Sequence, residues 1–331
     1  MSRQPCSVLP TILSRRQALL TGAGWLGFSL LPRFSWAAKA SGFSAPHLSA
    51  QALKQLNQAV PGGVAVVPLG SAPTTPHVTF NGSEVLVLPH QNQWYALVGL
   101  SLDTKPGVHQ LTFVDQDLAK ADSAPQQEPN IQSVLRQMQA DAGQFSTPGS
   151  FEVRDKTYPA QHITLKNKRQ VNPNPEDLAR IRKESALQNE AYATFSNIEP
   201  SNVLFDPPVK GRLSSPFGLK RFFNGEPRNP HSGLDFAVPK GTPVQTPASG
   251  RIILVGNYFF NGNTVFVDHG SGLISMFCHL SSIDTKLGDT VNRFDIIAKV
   301  GSTGRSTGPH LHWNVSLNNA RVDPAIFLTS K

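Results

Sequence analysis

Apolar and polar positions alternate with a period of two over much of this chain. GGVAVVPLG (62–70), EVLVLP (84–89), WYALVGLSL (94–102) and VHQLTFVD (108–115) each read as strands, with a tight-turn signal at Asn81-Gly82. Residues 121–149 break the pattern with a polar, glutamine-rich insertion that has room for one short helix at 130–140. Strand character returns in FEVRDKTYPAQHITL (151–165). Together these predict a small β-sandwich over 45–168, with the insertion near its end. The period then changes. In VNPNPEDLARIRKESALQNEAYATF, Asn174 can cap, Pro175 suits the first helical position, and Glu176 and Asp177 suit the positive end of the helix dipole. The spacing predicts one helix from about 175 to 196. It is polar enough to act as a surface spacer within a linker at 172–200.

From about 201 to 331 the pattern is again strands and turns. RIILVGNYFF and NTVFVDHG flank a hairpin signal at Asn261-Gly262-Asn263, followed by LISMFCHL, DIIAKVG and HLHWNVSL. The molecule is therefore expected to be mainly β, with two β regions joined by a helix. Such a boundary predicts that the second region folds without the first. Apart from the N-terminus, no apolar run is long enough to span a membrane.

The first residues change the picture of where the chain works. Ser14-Arg15-Arg16-Gln17-Ala18-Leu19-Leu20 has twin-arginine form. A weakly apolar, glycine-containing stretch follows, and Arg33 precedes a small-residue zone, SWAAKA. This reads as a twin-arginine export signal over 1–37, cleaved near Ala37-Ala40. Its removal takes away Arg3, Arg15, Arg16 and Arg33 and no acid, and the formal charge falls from +8 to +4. A mildly basic exported protein suits an anionic envelope polymer. No basic run with interleaved aromatics points to nucleic acid. Of the two cysteines, Cys6 lies in the signal, so Cys278 has no internal disulfide partner.

Half of the ten histidines fall between His231 and His312. In HLHWNVSL a strand would turn His310, His312, Asn314 and Ser316 to one face and Leu311, Trp313, Val315 and Leu317 to the other. In PHSGLDF, His231 and Asp235 are four apart and share a face if the chain is extended. His279 ends the apolar strand before it. Neutral imidazole and carboxylate suit zinc, and three protein ligands with an open position define a catalytic rather than a structural site. Two histidines and an aspartate could supply that set, leaving two further histidines for proton transfer or charge stabilisation. Cys278 is expected to alternate away from His279 into the core, His269 to be structural, and GSTGRSTGPH to form a wall of the site. His47, His77, His90, His109 and His162 have no shared spacing.

HSGLD, then FCHL, then GPHLHW resemble, in that order, the lysostaphin/LytM-type zinc endopeptidases that cleave peptidoglycan peptides. The likeness covers roughly 208–328, including SSPFGLK, GTPVQTPASGRI, KLGDTV and VDPAIF. The region upstream looks like the immunoglobulin-like module that precedes this domain in some Gram-negative members. The resemblance implies a LytM-type peptidase domain over 201–331, a duplicated hybrid motif of barrel-sandwich form. It also implies Zn2+ held by His231, Asp235 and His312, with His279 and His310 as the catalytic pair. Departures are Phe277 where the family usually has tyrosine, F-G-L-K in place of F-G-x-R, with Lys220 then Arg221, and VNRFD at a turn that is often glycine-containing. The implied substrate is the peptide stem of peptidoglycan, with D-alanyl–diaminopimelate as the bond if the compartment is a Gram-negative periplasm, where a regulator could be a further partner. The alternatives are an inactive wall-binding or amidase-activating protein on the same fold, or a peptidase of glycine-rich secreted proteins. All five positions are filled, which favours an enzyme.

Overall fold

The computed structural model describes residues 48–114, 148–165 and 167–329. The predicted signal at 1–37 and most of the insertion at 121–149, with its short helix, lie outside them. A short helix, α1 (Ala50–Leu56), precedes the first strands: β1 (Val64–Gly70), β2 (Val78–Phe80), β3 (Ser83–Glu84), β4 (Leu86–His90), β5 (Gln93–Gly99), β6 (Gly107–Gln110) and β7 (Thr112–Phe113). Beyond the insertion come β8 (Ser150–Val153), β9 (Ala160–Ile163) and helix α2 (Pro175–Tyr192). The rest comprises β10 (Arg212–Ser215), β11 (Lys220–Phe223), β12 (Glu226–Pro227), β13 (Leu234–Ala237), β14 (Pro243–Gln245), β15 (Gly250–Tyr258) and β16 (Gly262–Asp268). It ends with β17 (Leu273–Ile283), β18 (Thr290–Val291), β19 (Ile296–Val300), β20 (Leu311–Leu317) and β21 (Ala320–Val322).

The mainly β class is as expected, and Asn81-Gly82 makes its turn with both residues at positive φ. The N-terminal strands form three small sheets, β1-β5-β4, β3-β2-β7 and β6-β8. Ala65, Val67, Val78, Phe80, Ala96 and Val98 pack between them as a local core. The other face of the β1-β5-β4 sheet behaves differently. Val64, Leu86, Leu88 and Leu97 join Phe205, Phe236, Trp313 and Leu317 in the main core of the C-terminal region. This sheet is thus buried on both faces, and the period-two alternation expected of GGVAVVPLG and WYALVGLSL gives way there to nearly continuous apolar runs.

The two β regions therefore share one core. Asn318 fastens them together: its Oδ1 accepts from Gly99 N and its Nδ2 donates to Gly99 O. Only glycine fits there, since a Cβ on Gly99 would lie 2.5 Å from Leu317 O. The main C-terminal sheet runs β10-β13-β20-β17-β16-β15-β18. N-terminal β9 pairs in parallel with β11 at Ala160–Lys220 through Ile163–Phe223.

Helix α2 starts where predicted, with Asn174 Oδ1 accepting from Asp177 N at 2.8 Å, and ends four residues earlier than expected. It docks on the C-terminal region. Residues 180, 184, 188 and 192 share one face. Arg180 donates to Asn257 O, Glu184 accepts from Phe259 N at 2.7 Å, Gln188 accepts from Asn261 Nδ2 at 2.7 Å, and Tyr192 donates to Asn314 Oδ1 at 2.9 Å.

Candidate metal centre and active-site groove

Strand register places the first two candidate residues opposite each other, since Asp235 of β13 pairs with His312 of β20. Directly opposed antiparallel residues project from the same face. His231 approaches from the loop before β13. Its Nε2 lies 3.0 Å from both Asp235 Oδ1 and His312 Nδ1, and the third edge, His312 Nδ1 to Asp235 Oδ1, is 2.8 Å. Three buried donor atoms of three residues thus form one compact triangle.

Hydrogen bonding fixes what these atoms can do. His231 Nδ1 faces Pro216 O at 2.7 Å, and a carbonyl only accepts, so Nδ1 carries the hydrogen. In the neutral ring Nε2 is then a bare lone pair 3.0 Å from a carboxylate oxygen. Two such acceptors repel unless a cation lies between them, so the residues fit a metal ion, and two imidazoles with one carboxylate suit zinc. Burial pushes the Asp235 carboxyl up, but the neighbouring His231 and His312 rings outweigh it and hold the group well below the ordinary carboxylate range. Burial pushes His312 down to about 4 despite Asp235. The carboxylate is ionised and the His312 imidazole neutral near pH 7, the forms that bind metal.

The second pair lies alongside. The His279 and His310 rings are 4.7 Å apart, and His310 Nε2 is 4.0 Å from Asp235 Oδ1. His279 Nδ1 donates to Thr303 O at 2.8 Å and His310 Nδ1 to Gly308 O at 2.9 Å, leaving a lone pair on each Nε2. Burial, then the charges of His310 and His312, push His279 down to about 3. Strict alternation would have turned His279 away from the site. Cys278 pairs with His312 across β17 and β20 and therefore shares its face, contrary to the expectation that it points elsewhere. What returns His279 to the site is its left-handed backbone, φ +61°, at the point where β17 leaves β20 and begins to pair with β19. Its N–H donates to Asn261 O at 2.8 Å.

All five sequence candidates meet in one groove of about 830 Å³. Residues 305–310 form one wall, as expected. His269 lies away from it, buried between Ser249 O and Ser275 Oγ, a structural role as expected. Cys278 is fully buried, and burial raises its thiol well above its ordinary value, so it is inert. Several lining residues escaped the sequence reading. Arg221 Nη2 donates to Asp235 Oδ2 at 3.2 Å, Arg305 faces the groove, and Tyr192 braces Asn314 beside His312. Ser101, Leu102, Asp103, Gln161, Ile163 and Leu165 line it from the N-terminal region. A signal existed for Arg221: alternation in KRFF pairs it with Phe223, a large apolar anchor.

Comparison with known proteins agrees with this geometry. Residues 229–324 match Peptidase family M23, and residues 57–122 match the Peptidase family M23 N-terminal domain. The crystal structure of an M23 peptidase from Pseudomonas aeruginosa is 46% identical, covering 84% of this chain and 98% of that one, with a TM-score of 0.64. The chain belongs to peptidase family M23, and the resemblance carried by HSGLD, FCHL and GPHLHW is borne out. The DD-carboxypeptidase/endopeptidase Mpg of Neisseria meningitidis is 40% identical over 126 residues, 38% of this chain and 29% of that protein. The peptidoglycan DD-endopeptidase ShyA of Vibrio cholerae is 40% identical over 115 residues, 34% of this chain and 27% of its own length. The chain thus spans less than a third of these curated relatives.

Proposed function

We propose that this protein is an exported zinc endopeptidase that hydrolyses peptide cross-links of peptidoglycan, with the D-alanyl–diaminopimelate bond as the bond cut. The observation that carries the reading is the triangle of His231 Nε2, Asp235 Oδ1 and His312 Nδ1 standing beside two further histidines with free Nε2 lone pairs. The substrate class is supported by the activities named for the Neisseria and Vibrio relatives.

In this reading His231, Asp235 and His312 hold the ion. Zinc bound there would supply a Lewis acid for the scissile carbonyl and a lowered pKa for water. The remaining work falls to side chains of this chain. Thr303 O and Gly308 O fix the tautomers of His279 and His310, so each Nε2 can accept a proton from the attacking water and return it to the leaving amine. Whichever histidine is protonated also offers a hydrogen bond to charge developing on the carbonyl oxygen. Arg221 engages the outer oxygen of Asp235 and fixes the carboxylate's orientation.

The twin-arginine stretch at Arg15-Arg16 supports export to the periplasm, where this polymer lies. Digestion of intact sacculi tests the reading. Un-cross-linked muropeptides should be released, stopped by a chelator and restored by zinc. A protein that binds zinc and sacculi but releases no product would support the wall-binding alternative instead.

A further inference from the structure

One wall of the groove carries more positive charge than the fold neutralises. Strand alternation places Arg221 and Phe223 on one face of β11. The Arg305 guanidinium lies 4.7 Å from the Phe223 ring and 4.1 Å from that of Phe260. Two aromatic rings hold a planar cation in one place with little freedom left to lose. The backbone below is pinned as well, with Arg305 N donating to Phe260 O at 2.7 Å. Yet among the described residues its one side-chain hydrogen bond is a long one, Nη1 to Gln170 O at 3.4 Å, and it pairs with no carboxylate. Neighbouring cations do not relieve it. Arg228 is already paired with Glu226, and Arg221 gives Nη2 to Asp235 while its Nε is buried without a partner. Burial, then the charges of Arg221 and Arg228, push the Arg305 guanidinium down to about 10. It is still charged near neutrality, in a half-buried place with like charges beside it, which is unfavourable until an anion arrives.

We infer that Arg305, beside Arg221, forms a carboxylate subsite that recognises the free carboxylate on the carbon bearing the scissile amide nitrogen. In a D-alanyl–diaminopimelate cross-link the nitrogen of the cut amide is attached to a carbon that carries such a carboxylate. That group lies two bonds from the scissile nitrogen, and Arg305 lines the same groove as Arg221, which touches the outer oxygen of Asp235. A guanidinium held against two rings presents a fork that matches a carboxylate and matches a carboxamide poorly. The inference rests on the peptidoglycan reading above and names the group by which the site selects its substrate.

The test uses the purified full chain with zinc and two synthetic cross-linked peptides that differ only in that group, free carboxylate or carboxamide. The wild type should prefer the carboxylate by roughly 10- to 100-fold in kcat/KM, mostly through KM, the usual scale for a hydrogen bond to a charged group. Arg305→Gln should bring the two substrates to within about threefold of each other by losing the carboxylate, and Arg305→Lys should keep part of the preference. A merely structural arginine would lower both substrates together. Equal cleavage of both peptides by the wild type, or an equal fall on both in Arg305→Gln, would overturn the subsite and leave the endopeptidase reading standing. Cleavage of neither would overturn that reading and the subsite with it.

Discussion

His269 is a histidine built into the fold and held away from the chemistry. Its Nδ1 donates to Ser249 O at 3.0 Å, its Nε2 meets Ser275 Oγ at 2.9 Å, and burial pushes it down to about 4 from an ordinary 6.5. Between those values the unfolded chain binds a proton that the folded chain refuses. Its contribution to stability is therefore complete above pH 6.5 and is lost as pH falls through the window towards 4. At about 1.4 kcal/mol per pH unit the loss is on the order of 3 kcal/mol. Denaturant midpoints between pH 4 and 7.5 should show a shallower slope in His269→Gln than in the wild type, and parallel slopes would refute the assignment. The sequence hinted at this role only by leaving His269 without a partner at metal-ligand spacing. His231, Asp235, His310 and His312 were legible because period-two spacing in extended chain puts ligands on one face. His279 was legible only through the family resemblance. The residue's own left-handed backbone, φ +61°, defeats the alternation that would otherwise place it.

At the scale of elements, the site depends on the hairpin of β15 and β16 touching the loop that carries Thr303. Gly262, at φ +63°, comes so near that a Cβ would lie 2.3 Å from Thr303 Oγ1 and 2.4 Å from its carbonyl carbon. Thr303 O is the acceptor that sets the tautomer of His279. Gly262→Ala should therefore displace this carbonyl and lower kcat by roughly tenfold or more, the scale of a mispositioned proton-transfer group, while zinc content stays near one per chain. Undiminished turnover would show that the loop absorbs the shift harmlessly. Helix α2 was readable in its start, because Asn174, Pro175, Glu176 and Asp177 each satisfy a need of a helix N-terminus. Its docking was not. The ridge 180-184-188 that lies on the hairpin is polar, and a polar stripe in a sequence looks the same whether it meets water or the polar groups of a turn.

At the scale of the whole molecule, the sequence suggested two regions joined by a spacer, and the structure joins them through a shared core. The clue lay in GGVAVVPLG and WYALVGL, whose apolar residues run on where a half-buried strand would alternate, because the sheet they form is covered on both sides. What period-two patterns cannot reveal is which distant region covers the second face. A chain beginning near Asn202 should consequently aggregate or melt well below the full chain, since it exposes the core surface that Leu88 and Leu97 cover. Breaking the link more gently, Asn318→Leu leaves both polar groups of Gly99 buried without partners and should destabilise by about 2 to 4 kcal/mol in thermal or denaturant unfolding. A soluble, cooperatively folding fragment from Asn202, together with a neutral Asn318→Leu, would mean that the regions do not depend on each other. The central claim concerns the two duties divided among the five groove residues. Its most direct test is zinc content per chain measured beside sacculus digestion in five alanine variants. His231→Ala, Asp235→Ala and His312→Ala should lose most bound zinc and all activity. His279→Ala and His310→Ala should keep the zinc and the fold while activity falls by roughly a hundredfold or more. A His310→Ala protein without zinc, or a His312→Ala protein that retains it, would contradict the division of roles.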